Sequence, residues 1–357
     1  DPTLCIDCGI CPTVCPSYDG NLLSYNSPAT LDVEVFSARN NSRDVLMKST
    51  SGGIFPALAA EVIHRDGIVV GAELQRDLSV KHVAIDNEEG IAKLQGSKYL
   101  QSHIGQTYSA VGQYLKEDRP VLFSGLPCQI AGLNSYLQNR GSTGRENLIT
   151  CQLICYGVPS EADFAGYVAD LETRHRSKVI HYRFRAKPLG WKTYGVLVDF
   201  ENGQLHSSAG ADDPFMVGFR RALYLRSSCY LCRHKGFPIR ADIALGDFWH
   251  IDEYDTSLSD TDGISLVLIQ TKQGNDLFDS VKDRVTSKQQ TLEMAIGCNP
   301  SLVSCPQLTP KRKEYLYDFG AKGFKYCANK HTPSSTFHRR AIRSLKRRLH
   351  NLLGTRA

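Results

Sequence analysis

The 357 residues carry 42 Lys and Arg against 37 Asp and Glu, a formal net charge of +5, with 41% hydrophobic and 22% charged content. Those proportions are ordinary for a globular chain. No apolar run reaches the roughly 18 residues of a membrane-spanning helix, so none is expected. The basic excess sits in a tail: from His331 onward there are seven Lys or Arg and no Asp or Glu, which leaves the rest near −2 and argues against a nucleic-acid-binding face.

The length suggests more than one domain, and the motifs and the tail set out below divide the chain into 1–27, 28–124, 125–330 and 331–357. It starts at Asp1 rather than Met, which leaves room for leading residues, and no secretory signal is visible. Residues 1–20 hold four cysteines and three prolines and read as turns wrapped around a centre. Residues 21–48 are polar and rich in Asn and Ser, the composition of a linker or long loop. A helix is expected over 54–63, entered through Ser51-Gly52-Gly53, then strands over 67–72 and 80–85. A helix ending near Lys116 precedes a buried strand over 121–124. The chain turns at Gly125-Leu-Pro-Cys-Gln129, and a helix runs to Leu137. A strand over 148–155 and a helix over 161–174 follow. Residues 179–206 alternate around Asn202-Gly203, the signature of a hairpin. A buried strand over 264–269 and a helix over 275–281 complete the pattern. Strands mixed with helices imply an α/β or α+β body built on a mixed sheet.

Twelve cysteines are many for this length. Clusters at short spacing, with no export signal, point to metal rather than disulfides. Cys5-x-x-Cys8-x-x-Cys11-x-x-x-Cys15-Pro16 is a bacterial ferredoxin-type run. Two-residue gaps let one tight loop present successive thiolates to a cubane, Gly9 permits close backbone approach, and Pro16 ends the loop. Zinc also takes four thiolates, but more often from two distant pairs. No second run exists, so Cys15 is expected to close its own site, unless a remote cysteine such as Cys298, Cys305 or Cys327 does so. Cys128, Cys155 and the Cys229-x-x-Cys232 pair form a looser set. Spacing alone leaves them open between a second metal centre and buried structural cysteines.

Six motifs then occur in order: Ser51-Gly-Gly-Ile54; Gly96-Ser-Lys-Tyr99 with Gln101-Ser102; Phe123-Ser-Gly-Leu-Pro-Cys-Gln-Ile-Ala-Gly132; Cys155-Tyr-Gly-Val-Pro159; Cys229-Tyr-Leu-Cys232; and Leu245-Gly-Asp-Phe-Trp249. Over about residues 1–315 the chain closely resembles the coenzyme F-420 hydrogenase/dehydrogenase beta-subunit family. The resemblance implies a mixed-sheet flavin-binding body, FAD and cubane clusters, with Cys128, Cys155, Cys229 and Cys232 as ligands of a second 4Fe-4S cluster. Cys151 has no counterpart in that set and is left structural. The resemblance also suggests a flavin site at Ser51, Gly52, Gly53, Ser97, Lys98, Tyr99 and Ser102. The residues support it in part: Ser-Gly-Gly before a helix offers N–H groups to a phosphate, and Lys98 adds a cation. No G-x-G-x-x-G is present, which disfavours a standard NAD fold. Gly246-Asp-Phe-Trp249 either shapes the flavin pocket or packs in the core.

The expected protein is a cytoplasmic FAD- and 4Fe-4S-dependent oxidoreductase. Single electrons would pass through clusters to a flavin that performs two-electron chemistry. Ferredoxin or a reduced deazaflavin would be the donor; the chain departs from family members with two ferredoxin runs, so the resemblance does not choose. Members also occur beside surface-polysaccharide genes, which makes a sugar-related or lipid-linked substrate conceivable. No catalytic residue is assigned. In the tail, Ile342, Leu345, Leu349 and Leu352 form a helical stripe opposite basic residues, a form that can lie on the anionic inner face of a membrane. The rivals are a non-catalytic electron-transfer subunit of a larger redox complex and a zinc-stabilised binding protein.

Overall fold

The computed structural model describes Cys11, Cys15 and residues 33–188, 190–258 and 262–333. Cys5, Cys8 and the tail stripe lie outside the described residues. One nine-stranded mixed sheet forms the body, in the order β12-β1-β11-β10-β6-β5-β2-β3-β4. Its strands are β1 (Glu34–Asn40), β2 (Ile68–Leu74), β3 (Val80–Ile85), β4 (Ser102–His103), β5 (Val121–Gly125), β6 (Leu148–Leu153), β10 (Ile243–Asp247), β11 (Ser265–Ile269) and β12 (Val285–Gln290). Strands β2, β5, β6 and β10 are mutually parallel, so their carboxyl ends share one edge of the sheet. The sheet takes strands from both sides of residue 125.

Alternation along the strands sends side chains to two helical layers. Val69, Leu122, Ile243 and Val267 pack against α2 (Ile54–His64), α3 (Glu88–Leu94) and α9 (Lys272–Asp279). Cys151 joins that layer as a fully buried apolar side chain. Ile68, Val70, Val121 and Phe123 face α4 (Thr107–Lys116) and α5 (Pro127–Asn139), while Val35, Ala244 and Leu266 face α10 (Leu292–Cys298).

Between β6 and β10 the chain builds a smaller unit. Helix α6 (Glu161–His175) leads into the antiparallel sheet β7 (Val179–Ala186), β8 (Gly195–Phe200) and β9 (Leu205–Ala209), then α7 (Pro214–Arg220). The expected hairpin is present: Gly203 takes φ 79°, and its N–H donates to the Phe200 carbonyl at 2.9 Å. An aromatic core of Phe164, Tyr167, Tyr182, Phe184 and Phe215 packs against Tyr315 and Phe324 of α11 (Pro310–His331), which breaks at Gly323. Each such buried ring stabilises the unit by roughly 2–3 kcal/mol through apolar burial. The short helix α8 (Ile251–Tyr254) follows β10.

One expectation is corrected. The segment 21–48 is not all linker: β1 lies one strand in from the sheet edge, and α1 (Arg43–Lys48) follows it. Polar side chains disguised the strand. Ser37 Oγ donates to the Lys288 carbonyl, and Asn40 Nδ2 donates to the Gly53 carbonyl. Both are buried with their bonds made inside the fold, so their polarity does not mark solvent.

Candidate metal and cofactor site

The carboxyl edge of a parallel sheet is where backbones turn from strand to helix and leave a crevice. Strand β5 ends at Gly125, and the chain enters α5 through Leu126-Pro127-Cys128. Pro127 suits the first helical turn, and Gln129 Oε1 accepts the Leu126 N–H at 2.9 Å. Cys128 therefore stands in the first turn of α5. Its neighbour β6 ends at Leu153, and Cys155 follows on the same edge. The Cys229–Cys232 turn closes over both from the smaller unit. Cys128, Cys155, Cys229 and Cys232 line one cavity, walled by Leu126, Ile154, Val158 and Leu302.

Crowding thiols out of water disfavours the thiolate. Burial first, and then Cys232 and Cys229, push Cys128 up to about 11. Burial and then Cys128 push Cys155 up to about 12, and burial raises Cys232. A cationic centre reverses that balance, because its ligands bind as thiolates. The Val158 N–H donates to Cys229 Sγ at 3.4 Å, a bond that steadies a thiolate sulfur. Among the described residues no three of these thiols lie within 4.8 Å of one another. Four thiols on one cavity make a donor set that fits a thiolate-bound centre. Lys235 stands beside them, its Nζ bonded to the carbonyls of Cys155 and of Ser301 (2.7 Å for the latter). Burial lowers its pKa, and the thiols, Cys155 foremost, act against that.

Of the ferredoxin-type run, Cys11 is exposed and Cys15 half-buried, with the Cys15 N–H bonded to the Cys11 carbonyl at 3.1 Å. Cys298 and Cys327 are buried in core clusters, whereas Cys305 Sγ reaches the Cys232 carbonyl at 3.4 Å. Of these three remote cysteines, Cys305 therefore adjoins the second set.

The two motifs expected to form a flavin site meet. Thr50 Oγ1 accepts the Ser97 N–H at 2.7 Å, and Gln95 Nε2 donates to Ser49 Oγ at 2.7 Å. Within them most polar groups already have protein partners. Ser51 Oγ donates to the Ile264 carbonyl, and the Gly52 N–H donates to Ser265 Oγ. A Cβ at Gly52 would meet the Ala38 carbonyl at 2.3 Å, and Gly53 takes φ 72°, so this corner requires glycine. Lys98 Nζ donates to the carbonyls of Lys93, Leu94 and Gln95, capping α3. Burial pulls its pKa down to about 7, with Glu73 opposing. Ser102 Oγ accepts from Gln129 Nε2 at 2.8 Å.

Sequence reasoning missed two buried cations that β7 brings to these motifs. Lys187 Nζ donates to the carbonyls of Leu46 (2.9 Å), Ser51 (2.6 Å) and Asp262. Arg185 pairs with Asp247 at 2.5 Å and reaches Tyr99 Oη at 3.5 Å. Its guanidinium lies over the rings of Tyr194 (4.6 Å) and Trp249 (4.9 Å). Trp191 stacks on Trp249 at 4.8 Å and donates to Asp247 Oδ1 at 2.7 Å. Burial opposes the Arg185 charge, but Asp247 and Tyr99 outweigh it and raise its pKa. Of Gly246-Asp-Phe-Trp249, Phe248 is core, as one of the two readings expected, while Asp247 and Trp249 meet Arg185 of the smaller sheet. A register shift between Arg183 and Ala186 puts consecutive Phe184 and Arg185 both inside, which strand alternation cannot show.

Residues 118–293 match the family defined by the carboxyl-terminal part of the coenzyme F420 hydrogenase/dehydrogenase beta subunit. Over these residues the chain is similar to that family. The match takes in all four cavity cysteines and Asp247; Ser51–Gly53 and Ser97–Ser102 fall outside it. A chain of the F420-reducing [NiFe] hydrogenase complex from Methanosarcina barkeri is similar in structure, with a TM-score of 0.51 at 19% sequence identity, over 82% of this chain and 93% of that one. At that identity the likeness is one of fold, the mixed α/β fold just described. No curated protein matches. Among the described residues no helix is long and apolar enough to cross a membrane.

Proposed function

We propose that the protein is an iron–sulfur flavoprotein oxidoreductase. In this reading Cys128, Cys155, Cys229 and Cys232 hold an inner 4Fe-4S cluster, and Cys5, Cys8, Cys11 and Cys15 hold an outer one. The observation that carries the reading is the convergence of four thiols from three separate segments on one cavity at the sheet's carboxyl edge. A cluster supplies single-electron exchange. The chain's own residues do the rest. The apolar walls exclude water, Val158 donates to a ligand sulfur, and Lys235 places a cation beside the thiols.

FAD is proposed at the junction of the two motifs, where Ser51–Gly53, Ser97, Lys98, Tyr99 and Ser102 are joined by Arg185 and Lys187. Most of the named side chains are already bonded to other protein groups, so their part is to shape the pocket, and the cations favour an anionic cofactor. Electrons would come from ferredoxin or a reduced deazaflavin and pass to a small or lipid-linked substrate, sugar-related in one version. The second reading, an electron-transfer subunit without its own substrate, draws on the neighbour's place in a hydrogenase complex. A cytoplasmic location, with the tail on an anionic membrane surface, belongs to the same proposal.

Anaerobic purification tests it. About eight irons per chain are expected if both clusters form, with FAD released on denaturation. Stoichiometric zinc with negligible iron would reject the cluster reading, and a nicotinamide with no flavin would reject the flavin.

A further inference from the structure

The turn between Cys229 and Cys232 presents Leu231 at 83% exposure, the highest of any large apolar side chain among the described residues. Beside it runs the segment carrying Cys305, whose Val303 and Leu308 are 37% and 68% exposed. Apolar side chains of this size are seldom left together in water. The chain on either side of the turn carries charge of one sign. From Pro214 to Ala241 there are six Lys or Arg and no Asp or Glu. Arg312 of α11 adds another, lying over the Tyr230 ring at 4.8 Å. The hydrogen bonds of Arg226, Lys235 and Arg312 go to neutral oxygens: Gln101 Oε1, backbone carbonyls, and the hydroxyls of Tyr230 and Ser227. Among the described residues no carboxylate pairs with these three.

The complementary charge lies in the same chain. Residues 1–32 contain Asp1, Asp7, Asp19 and Asp32 and no Lys or Arg. The main described body begins close by: Val33 packs on the apolar cluster of Ile154 and Leu302, two residues that also line the cysteine cavity. Seventeen residues separate Cys15 from Val33. That length of chain can reach up to roughly 60 Å, enough to bring the run to this face.

We infer that residues 1–32 dock on the Leu231–Leu308 face, setting the Cys5–Cys15 run beside the Cys229–Cys232 turn. The contact rests on apolar exposure, charge and tether length. Only its purpose, passing electrons from the outer to the inner centre, rests on the proposed function.

Photo-crosslinking in the full-length protein tests it. A benzophenone-bearing amino acid replaces Leu231, or in a second variant Leu308, and irradiated protein is digested and mapped by mass spectrometry. The expected product joins position 231 or 308 to residues 1–32 of the same chain. The same probe at Ile180, 53% exposed on the smaller sheet, should not reach them. Yield should fall severalfold at high salt and in Arg226→Glu/Arg233→Glu, and recover when Asp7→Lys and Asp19→Lys are added. Products joining two chains, products confined to residues beyond 32, or none at either position would overturn the docking. Iron measured on the same samples separates the two ideas. The intramolecular product without iron upholds docking and removes the cluster reading; iron without the product does the reverse.

Discussion

Asp247→Ala leaves a guanidinium stranded. The Arg185 side chain is only 3% exposed, and Asp247 holds both of its terminal nitrogens, at 2.5 and 3.3 Å. Removing one partner of such a buried pair costs about 3–5 kcal/mol, because the remaining charge keeps its desolvation penalty. Trp191 Nε1 also loses its acceptor, worth roughly 1–3 kcal/mol. Tyr99, Tyr194 and Trp249 stay against Arg185 and recover part of the loss, so the net expectation is about 4 kcal/mol. Asp247→Asn keeps one oxygen for Arg185 or Trp191 and should cost about half as much. Anaerobic urea unfolding, followed by tryptophan fluorescence on samples matched for iron, reads the difference. A loss below about 1 kcal/mol for Asp247→Ala would mean that water reaches Arg185, and the sealed junction between the sheets would have to be abandoned.

Cys229→Ser should remove about half the iron and disturb the union of distant segments, whereas Cys8→Ser should remove the other half and leave flavin bound; unchanged iron in both would refute the ligand sets. Lys98→Ala removes three bonds from the end of α3 and is expected to weaken FAD retention in filtration assays, with full retention counting against its place in the pocket. Burial, opposed by the bond to the Ser124 carbonyl and reinforced by Lys98, holds His82 down to about 4, below the usual value near 6.5. Its stabilising contribution is therefore complete above about pH 6.5 and is lost as pH falls through 4, worth roughly 3 kcal/mol. Unfolding curves of the wild type and His82→Gln should converge over that window, and parallel pH dependences would disprove it. Removing residues 335–357 should lower sedimentation with anionic vesicles but not neutral ones, since each basic residue at such a surface contributes about 1 kcal/mol; equal sedimentation would exclude the tail as the contact.

Much of the body was legible because its signals are local. The buried runs Val121–Ser124 and Ile264–Ile269 are strands in the structure, and Asn202-Gly203 turns a hairpin. Strand β1 was not legible, since Ser37 and Asn40 make their bonds to Lys288 and Gly53, residues no local window relates to them. The short helices α3, α7 and α10 were missed for a similar reason: each buries only two to five residues, too few for a clear period.

By itself the sequence determined the residue types at the site: thiols in pairs and runs, glycines at a sharp corner, and acid and base segregated to different segments. Spacing could not tell Cys151 from Cys155, four residues apart on one strand and its exit; a motif match favoured Cys155. The tertiary structure shows the physical reason. Residue 151 faces the helical layer, while residue 155 lies past the last ladder bond, where the carboxyl edge opens. Tertiary structure alone also brought Arg185 and Lys187 inward, through a bulge that sequence alternation does not encode. A cavity made by strand ends depends on which strands lie side by side, and that adjacency is fixed by the packing of the whole sheet rather than by any one segment.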